Sequence, residues 1–443
     1  MNTNKNMGFV QAMAFASQLI PAIIGVGSFM VLVRLVNAEL LGQFLMYISG
    51  VVLFEMIKSG GLQSALVMRL SGRDATQQLQ TIGSAYWLGA AISGSLSVLL
   101  TLVFFSKIFI AQPGIQLFCG FYACLGMVTL PLHIAEAKAV SSQDISFIFK
   151  LRIAQSANSL LVAAYAFFKG GSLVEFATVH LLFNVCLMIV VIVSGKTNPL
   201  HIKHKLIAEV KELYKLIRYT LATLATTNFL KSADTFLIGS LLGAKAVATY
   251  TVPLKLTELF EIPLRSLSTT AFPQLAAASN DGNGSTFKKL YVQYLSWAYL
   301  LYIPALVVAF AIAPLLVTTL GGAKYVATVS VFRVFLLYGL FLPADRMSGI
   351  ALDALQKPHK NFIKVLFMAS INIIGDVLAI RLSGQLEWVA FASVLNVCTG
   401  IIVGNLLLNR TGIFNQSKVY NECIEYSKIF LKTGFKRVRF RTL

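Results

Sequence analysis

Lys231 and Asp234 stand three residues apart in NFLKSADTFLIGSLLGAKAVATY (228–250), a stretch whose first part otherwise reads as the middle of a membrane-crossing helix. Placing either charge at the centre of a bilayer costs about 2.5–3.5 kcal/mol on insertion scales, so such residues face a wet cavity or a partner. At about 100° per residue, Thr220, Thr223, Thr227, Lys231 and Asp234 fall within roughly 80° of one another. They form a polar stripe on a helix made mostly of Leu, Ala, Ile and Phe. The next apolar segment repeats the pattern. Lys255, Glu258, Glu261 and Arg265 lie within roughly 120° on an ideal helix, Thr251 and Thr269 share that side, and Pro263 bends it. Other charges at membrane depth are Glu55 and Lys58, then Arg333, Asp345, Arg346 and Asp353 with Pro343 just before the Asp/Arg pair, and Asp376.

Arginine and lysine in such a setting are the usual ligands of phosphate. The candidate anion-binding set is therefore Lys231, Lys255, Arg265, Arg333, Arg346 and Lys58. Asp234, Glu258, Glu261, Glu55 and Asp345 are candidates for charge balance, or for holding a coupling proton or sodium ion. The competing account is that each acid and base pairs within its own helix and only locks packing. Both accounts stay open for Lys231/Asp234 and Glu55/Lys58, whereas Lys255 and Arg265 favour the cavity. Arg34, Asp353 and Arg381 sit near helix ends and read as interfacial anchors.

No catalytic constellation, metal site or cofactor motif is expected. His133, His180, His201, His204 and His359 are scattered, and His201-x-x-His204 lies in a lysine-rich loop without carboxylates suited to zinc. GGAKY at 321–325 lacks the Gly-Lys-Ser/Thr ending of a phosphate-cradling loop. The five cysteines lie mostly in apolar runs without C-x-x-C spacing and read as small core residues.

The elements that must position these charges are transmembrane helices. The chain of 443 residues is 57% hydrophobic and 12% charged, which a soluble protein with a polar exterior could hardly tolerate. A hydrocarbon core of about 30 Å needs roughly 20 apolar helical residues. That criterion predicts twelve spans, near 9–33, 41–67, 80–105, 114–134, 147–168, 174–194, 216–242, 247–275, 291–319, 326–352, 362–381 and 387–409. The first span is too long for the apolar region of a cleaved signal and is expected to remain as an anchor.

Lysine and arginine concentrate in alternate loops. With the amino terminus inside, the outer segments hold only Arg34, Lys107, Lys169, Lys245, Lys324 and Arg381, while the interval 196–215, the inner loops and the tail carry most of the rest, Lys364 among them. This asymmetry places both termini in the cytoplasm. It also accounts for most of the net charge of +19 without a nucleic-acid partner, for which basic residues interleaved with aromatics would be expected. The tail KIFLKTGFKRVRFRTL (428–443) reads either as an amphipathic basic segment lying on anionic membrane lipid or as a solvated topology signal.

The interval 196–215 divides the chain into an amino-terminal six-helix bundle (1–195) and a carboxy-terminal one (216–409), followed by a basic cytoplasmic tail (410–443). Leu53-Phe54-Glu55 recurs as Leu259-Phe260-Glu261 at an offset of 206 residues, as expected of an internal duplication. The fold class expected is an all-α polytopic membrane protein of twelve transmembrane helices in two pseudo-symmetric six-helix bundles around a central cavity.

ADTFLIGSLLGAKAVATYTVPLKLTELFEIPLRSLSTTAFPQLA resembles the seventh and eighth helices of the polysaccharide flippases of the multidrug/oligosaccharidyl-lipid/polysaccharide exporter superfamily. The resemblance rests on Asp234, Ile238-Gly239, Leu242-Gly243, Val247-Ala248-x-Tyr250, Lys255 and Phe272-Pro273-Gln274-Leu275, with LVRLVNAELLGQFLMY as the first-half counterpart. It implies a transporter, not an enzyme, that alternates access across the bacterial inner membrane and flips a polyprenyl-diphosphate-linked oligosaccharide for surface polysaccharide assembly (O-antigen, capsule or exopolysaccharide). Other polysaccharide assembly proteins would be its partners. The alternatives are a multidrug-extruding cation antiporter, for which an acidic or apolar cavity is expected, and a glycan-modifying membrane enzyme, for which a large outer loop or a His/Asp/Glu cluster is expected. The two additional carboxy-terminal helices usual in the lipid II flippase branch are absent from this pattern.

Overall fold

The computed structural model describes residues 3–70, 74–142, 144–412 and 416–433, with side chains left out chiefly at 3–12, 219–223, 225–227, 229–231 and 429–433. Among the described residues the secondary structure is helical, without strands. The first set of helices is α1 (Thr3–Leu35), α2 (Ala38–Leu70), α3 (Ala75–Ser106), α4 (Pro113–Val128), α5 (Leu130–Ser141), α6 (Ile145–Lys169) and α7 (Leu173–Val193). The second is α8 (Ile207–Leu241), α9 (Ala244–Asn280), α10 (Gly284–Ala311), α11 (Ala313–Gly321), α12 (Val329–Ala354), α13 (Pro358–Leu382) and α14 (Leu386–Asn409), followed by α15 (Gln416–Thr433).

Seven of these, α2, α3, α7, α10, α12, α13 and α14, are long and apolar enough to cross a membrane, and α4 with α5 makes an eighth if the pair, bent by 47°, is one span. The other four predicted spans are α1, α6, α8 and α9, with 33, 25, 35 and 37 residues. At 1.5 Å per residue each is long enough for a core of about 30 Å. The molecule is a multi-pass membrane protein.

Helix limits follow local chemistry. Asp74, Asp144 and Asn283 cap α3, α6 and α10 by accepting amide hydrogens from Gln77, Phe147 and Thr286. Ser172 and Glu175 form a reciprocal capping box on α7. The bend between α4 and α5 falls at Thr129–Pro131, where proline removes a helix hydrogen bond. The 206-residue offset recurs in the boundaries: α1 ends at Leu35 and α8 at Leu241, α2 begins at Ala38 and α9 at Ala244. Glu55 and Glu261 are each the eighteenth residue of their helix.

Two compact units are present, Met1–Thr249 and Tyr250–Leu443. In the first, α1 lies against α6, and α8 runs along α2. The interval 196–215, expected as a linker, contains a 3-10 helix (Pro199–His204) and the first turns of α8. Leu213 and Ile217 extend α8 outward because they pack on Leu62, Leu66 and Ala85, and Arg69 of α2 pairs with Glu209 at 2.7 Å. In the second unit α14 packs against both α12 and α13. Ahead of the basic segment 428–443, α15 buries Val419 and Cys423 in a core shared with Tyr291, Leu295, Met347 and Leu408. Residues 434–443 lie outside the described residues.

Candidate functional site

The amino-terminal unit gathers its membrane-depth charges around Glu55 and Lys58 of α2. Lys58 is 2% exposed, and its ammonium donates to Glu55 Oε1 at 2.7 Å, Thr129 Oγ1 at 2.7 Å and the Gly126 carbonyl at 2.8 Å. The three bonds match the three hydrogens of the ammonium. Two of the acceptors are supplied at the α4–α5 break, where the helix ladder is interrupted. Glu55 in turn accepts from Tyr122 OH at 2.9 Å and lies 2.6 Å from His133 Nε2. Above it, Tyr47 OH and His180 Nδ1 are 3.0 Å apart. The histidines read as scattered in the sequence are thus partly gathered, His133 directly on Glu55. The single-sequence signal was weak, since His133 follows Glu55 by 78 residues.

The carboxy-terminal unit holds a second buried pair that sequence spacing missed. Lys364, placed with the inner loops, is 3% exposed. Its ammonium lies 2.7 Å from Asp345 Oδ1 and donates to the Asp345 carbonyl at 2.7 Å and Ser348 Oγ at 3.0 Å. Asp345 therefore balances a lysine nineteen residues away rather than its neighbour Arg346. Deeper in α13, Asn372 donates to Asp376 Oδ2 at 3.0 Å and accepts from Asn396 of α14 at 3.1 Å. Asp353, read as an end anchor, accepts from Asn361.

The remaining candidates occupy α9 and α12. Lys255 bonds both carboxylate oxygens of Glu258 at 2.8 and 2.9 Å. Arg265 pairs with Glu261 at 2.9 Å, with its side chain more than half exposed. Both are pairs within one helix, the competing account raised above, yet each cation stays partly open. Tyr302 of α10 donates its hydroxyl to the Phe260 carbonyl, in the turn loosened by Pro263. That hydroxyl feels the charges of Glu261 and Arg265 on α9 and of Arg346 on α12. Arg346 Nε is sealed from solvent and has no hydrogen-bond partner among the described residues. Arg333 lies apart, exposed, with its guanidinium 5.0 Å from the Phe310 ring centroid. Asp234 is half-buried and partnered, and the Lys231 side chain falls outside the described residues. Among the described residues no group of three His, Cys, Asp or Glu is placed to hold a metal ion.

The fold has solved relatives. An inward-facing multidrug resistance transporter of the MATE family, in the MOP superfamily, superposes with a TM-score of 0.74 at 14% identity, covering 92% of this chain and 99% of its own. The lipid II flippase MurJ in an inward closed conformation gives 0.70 at 17% identity, covering 94% and 90%. A MOP superfamily transporter from Pyrococcus furiosus, described as having a binding pocket of reversed polarity, gives 0.63 at 16% identity, covering 91% and 97%. Comparison with curated proteins yields no match. Residues 31–330 match the family described as polysaccharide biosynthesis protein. The helical fold is shared with these MOP transporters, and with the family match spanning most of the chain, this protein belongs to the polysaccharide biosynthesis protein family.

Proposed function

We propose that the protein flips a polyprenyl-diphosphate-linked oligosaccharide across the bacterial inner membrane by alternating access, for surface polysaccharide assembly, without catalytic chemistry of its own. In this reading 1–195 and 216–409 work as two six-helix bundles joined by 196–215, and both termini are cytoplasmic. The observation that carries it is Arg346. A buried donor left unbonded costs about 1–3 kcal/mol, and this one occurs in a member of a family of polysaccharide biosynthesis proteins, with its charge felt at Tyr302 together with those of Glu261 and Arg265. A diphosphate satisfies such a guanidinium with charge-assisted, bidentate bonds. Arg265 and Lys255, each in an open pair that a phosphate can compete for, complete the headgroup ligands. Glu261 and Glu258 retake those cations when the substrate leaves.

The test is a deletion strain complemented with Arg346→Ala, Arg346→Lys or Arg265→Ala, scored for lipid-linked oligosaccharide retained on the cytoplasmic leaflet. Retention with normal protein level in both Ala variants, partly relieved by Arg346→Lys, is expected. Full complementation by both Ala variants made in normal amount overturns the reading.

A further inference from the structure

The segment between α7 and α8 is strapped onto α3. Thr197 and Tyr86 share a hydroxyl hydrogen bond. Ser84 Oγ accepts from Leu206 N at 3.0 Å and donates to Leu206 O at 3.2 Å. A Cβ at position 83 would stand 2.3 Å from the His201 carbonyl oxygen, so only Gly83 admits this approach. Between the strap and the first turns of α3 lies a cavity of about 310 Å³ lined by Thr76, Leu79, Gln80, His204, Lys205 and Leu206.

The charge there is uncompensated. Lys203, His204 and Lys205 have no ion-pair partner among the described residues, while Lys196 pairs with Asp144 at 2.9 Å, Arg69 with Glu209 and Lys215 with Glu212. Asp74 caps α3 by accepting the Gln77 amide at 2.8 Å and forms no ion pair among the described residues. Burial, followed by the positive charges of Lys138 and His204, holds His201 below the ordinary histidine range, a second sign of a positive field. The Lys205 ammonium sits 5.1 Å over the Trp87 ring, and Trp87 is 39% exposed. Half-exposed tryptophan in a membrane protein marks headgroup depth.

We propose that this cavity is a lipid headgroup site, in which Lys205 and His204 hold a phosphate ester while Trp87 sets its depth. Basic pockets at this level of other membrane proteins take anionic headgroups, each cation being strengthened by the low dielectric beside the bilayer. The strap supplies preorganisation, because the cations approach the ligand without ordering a loop. The site is independent of the Arg346 reading, lies on different helices and carries no transport step. Its phosphate comes either from bulk anionic phospholipid or from a polyprenyl diphosphate.

The experiment uses the full-length protein purified in zwitterionic detergent and titrated by native mass spectrometry with phosphatidylglycerol, phosphatidylcholine and polyprenyl diphosphate. Wild type is expected to bind one of the two anionic lipids at least fivefold more tightly than phosphatidylcholine. His204→Gln/Lys205→Gln is expected to lose about tenfold, while Lys211→Gln/Lys215→Gln stays within twofold. Preference for phosphatidylglycerol assigns the site to a resident phospholipid, and preference for the diphosphate assigns it to a substrate-type headgroup; either supports the proposal. No preference over phosphatidylcholine, or an equal loss in both double variants, overturns it. A second readout needs no variant of the cavity: in a Trp297→Phe/Trp388→Phe background, brominated phosphatidylglycerol or polyprenyl diphosphate should quench Trp87 at concentrations where brominated phosphatidylcholine does not.

Discussion

Lys364 Nζ lies 2.7 Å from Asp345 Oδ1 and 2.7 Å from the carbonyl oxygen of the same residue, so one ammonium clamps both the side chain and the backbone of α12 just past Pro343. The clamp comes from α13, whose first turn starts at Pro358. Proline at position 343 weakens the ladder of α12, and the lysine restores tension there from a neighbouring helix. Arg346 follows directly, so its guanidinium is positioned by a pair that does not touch it.

Breaking that clamp on one side should be costly and on both sides much less so. Lys364→Met leaves Asp345 buried without a counter-charge, a loss of about 3–5 kcal/mol, whereas Lys364→Met with Asp345→Leu removes both charges and should recover most of it. Thermal unfolding in detergent measures the cycle. Equal losses in the single and double variants would mean that the pair contributes no coupling.

Gly400 of α14 closes the same site from the third side. A Cβ there would stand 2.2 Å from Asp345 Oδ1 and 2.6 Å from Met368 Sδ, while one at Gly25 would meet nothing within 4 Å. Gly400→Ala should therefore destabilise by about 1–3 kcal/mol, the usual cost of overpacking. Gly25→Ala should be neutral or slightly stabilising, since alanine is the better helix former. Matching Tm shifts for the two would refute the close approach of α14 to α12.

Helix number, the place of most spans and the repeat were legible because bilayer thickness imposes a length that any apolar run must meet. The 206-residue offset, first visible in Leu53-Phe54-Glu55 and Leu259-Phe260-Glu261, reappears in where α2 and α9 begin. Pairings within a helix were legible too, as spacing alone brings Lys255 to Glu258 and Arg265 to Glu261. Partners on different helices were not. Nothing in the spacing of His133, Tyr122 and Glu55, or of Lys364 and Asp345, encodes which helix faces which. Lys364 was further disguised by lying at a span's end, where lysine ordinarily reaches for water. The docking of α15 was hidden by composition, since its charged residues outweigh the few apolar ones that bury.

The related glutamates Glu55 and Glu261 should respond differently to the same substitution. Glu55→Gln removes the one carboxylate that meets buried Lys58 among the described residues and should cost about 3–5 kcal/mol. Glu261→Gln disturbs a pair whose arginine is more than half exposed and should cost about 0–1 kcal/mol, so any transport defect it shows reports on function rather than folding. Melting temperatures measured beside complementation separate the two, and a large stability loss for Glu261→Gln would make Arg265 a structural cation.

Topology is tested with cysteines in a background lacking the native ones. Positions 169 and 324 should label from the periplasm with an impermeant maleimide, and positions 203 and 360 only after the membrane is opened. Lys169, Lys203 and Lys324 are exposed, so failure to label will reflect sidedness, not burial. Reversed labelling would move the strap cavity to the outer face and remove it from the cytoplasmic leaflet.

The native Cys423 reports on α15. It is buried against α10, where Ser296 Oγ donates to its carbonyl at 3.4 Å and its own thiol donates to the Val292 carbonyl at 3.7 Å. Burial pushes the thiol up to about 11, and only the thiolate attacks maleimide. Both access and ionisation therefore slow its labelling at neutral pH. Val419 lies one turn earlier on the same face and is fully buried. An aspartate there must bury a charge or undock the helix, and undocking is the cheaper response because α15 is a peripheral element ending in polar chain. Val419→Asp should thus raise the Cys423 labelling rate by at least tenfold, while Ile424→Asp, on the exposed side, leaves it within twofold. If Cys423 labels rapidly in the unaltered protein, α15 is not docked, and the carboxy-terminal segment is free to lie on the membrane surface as its basic composition first suggested.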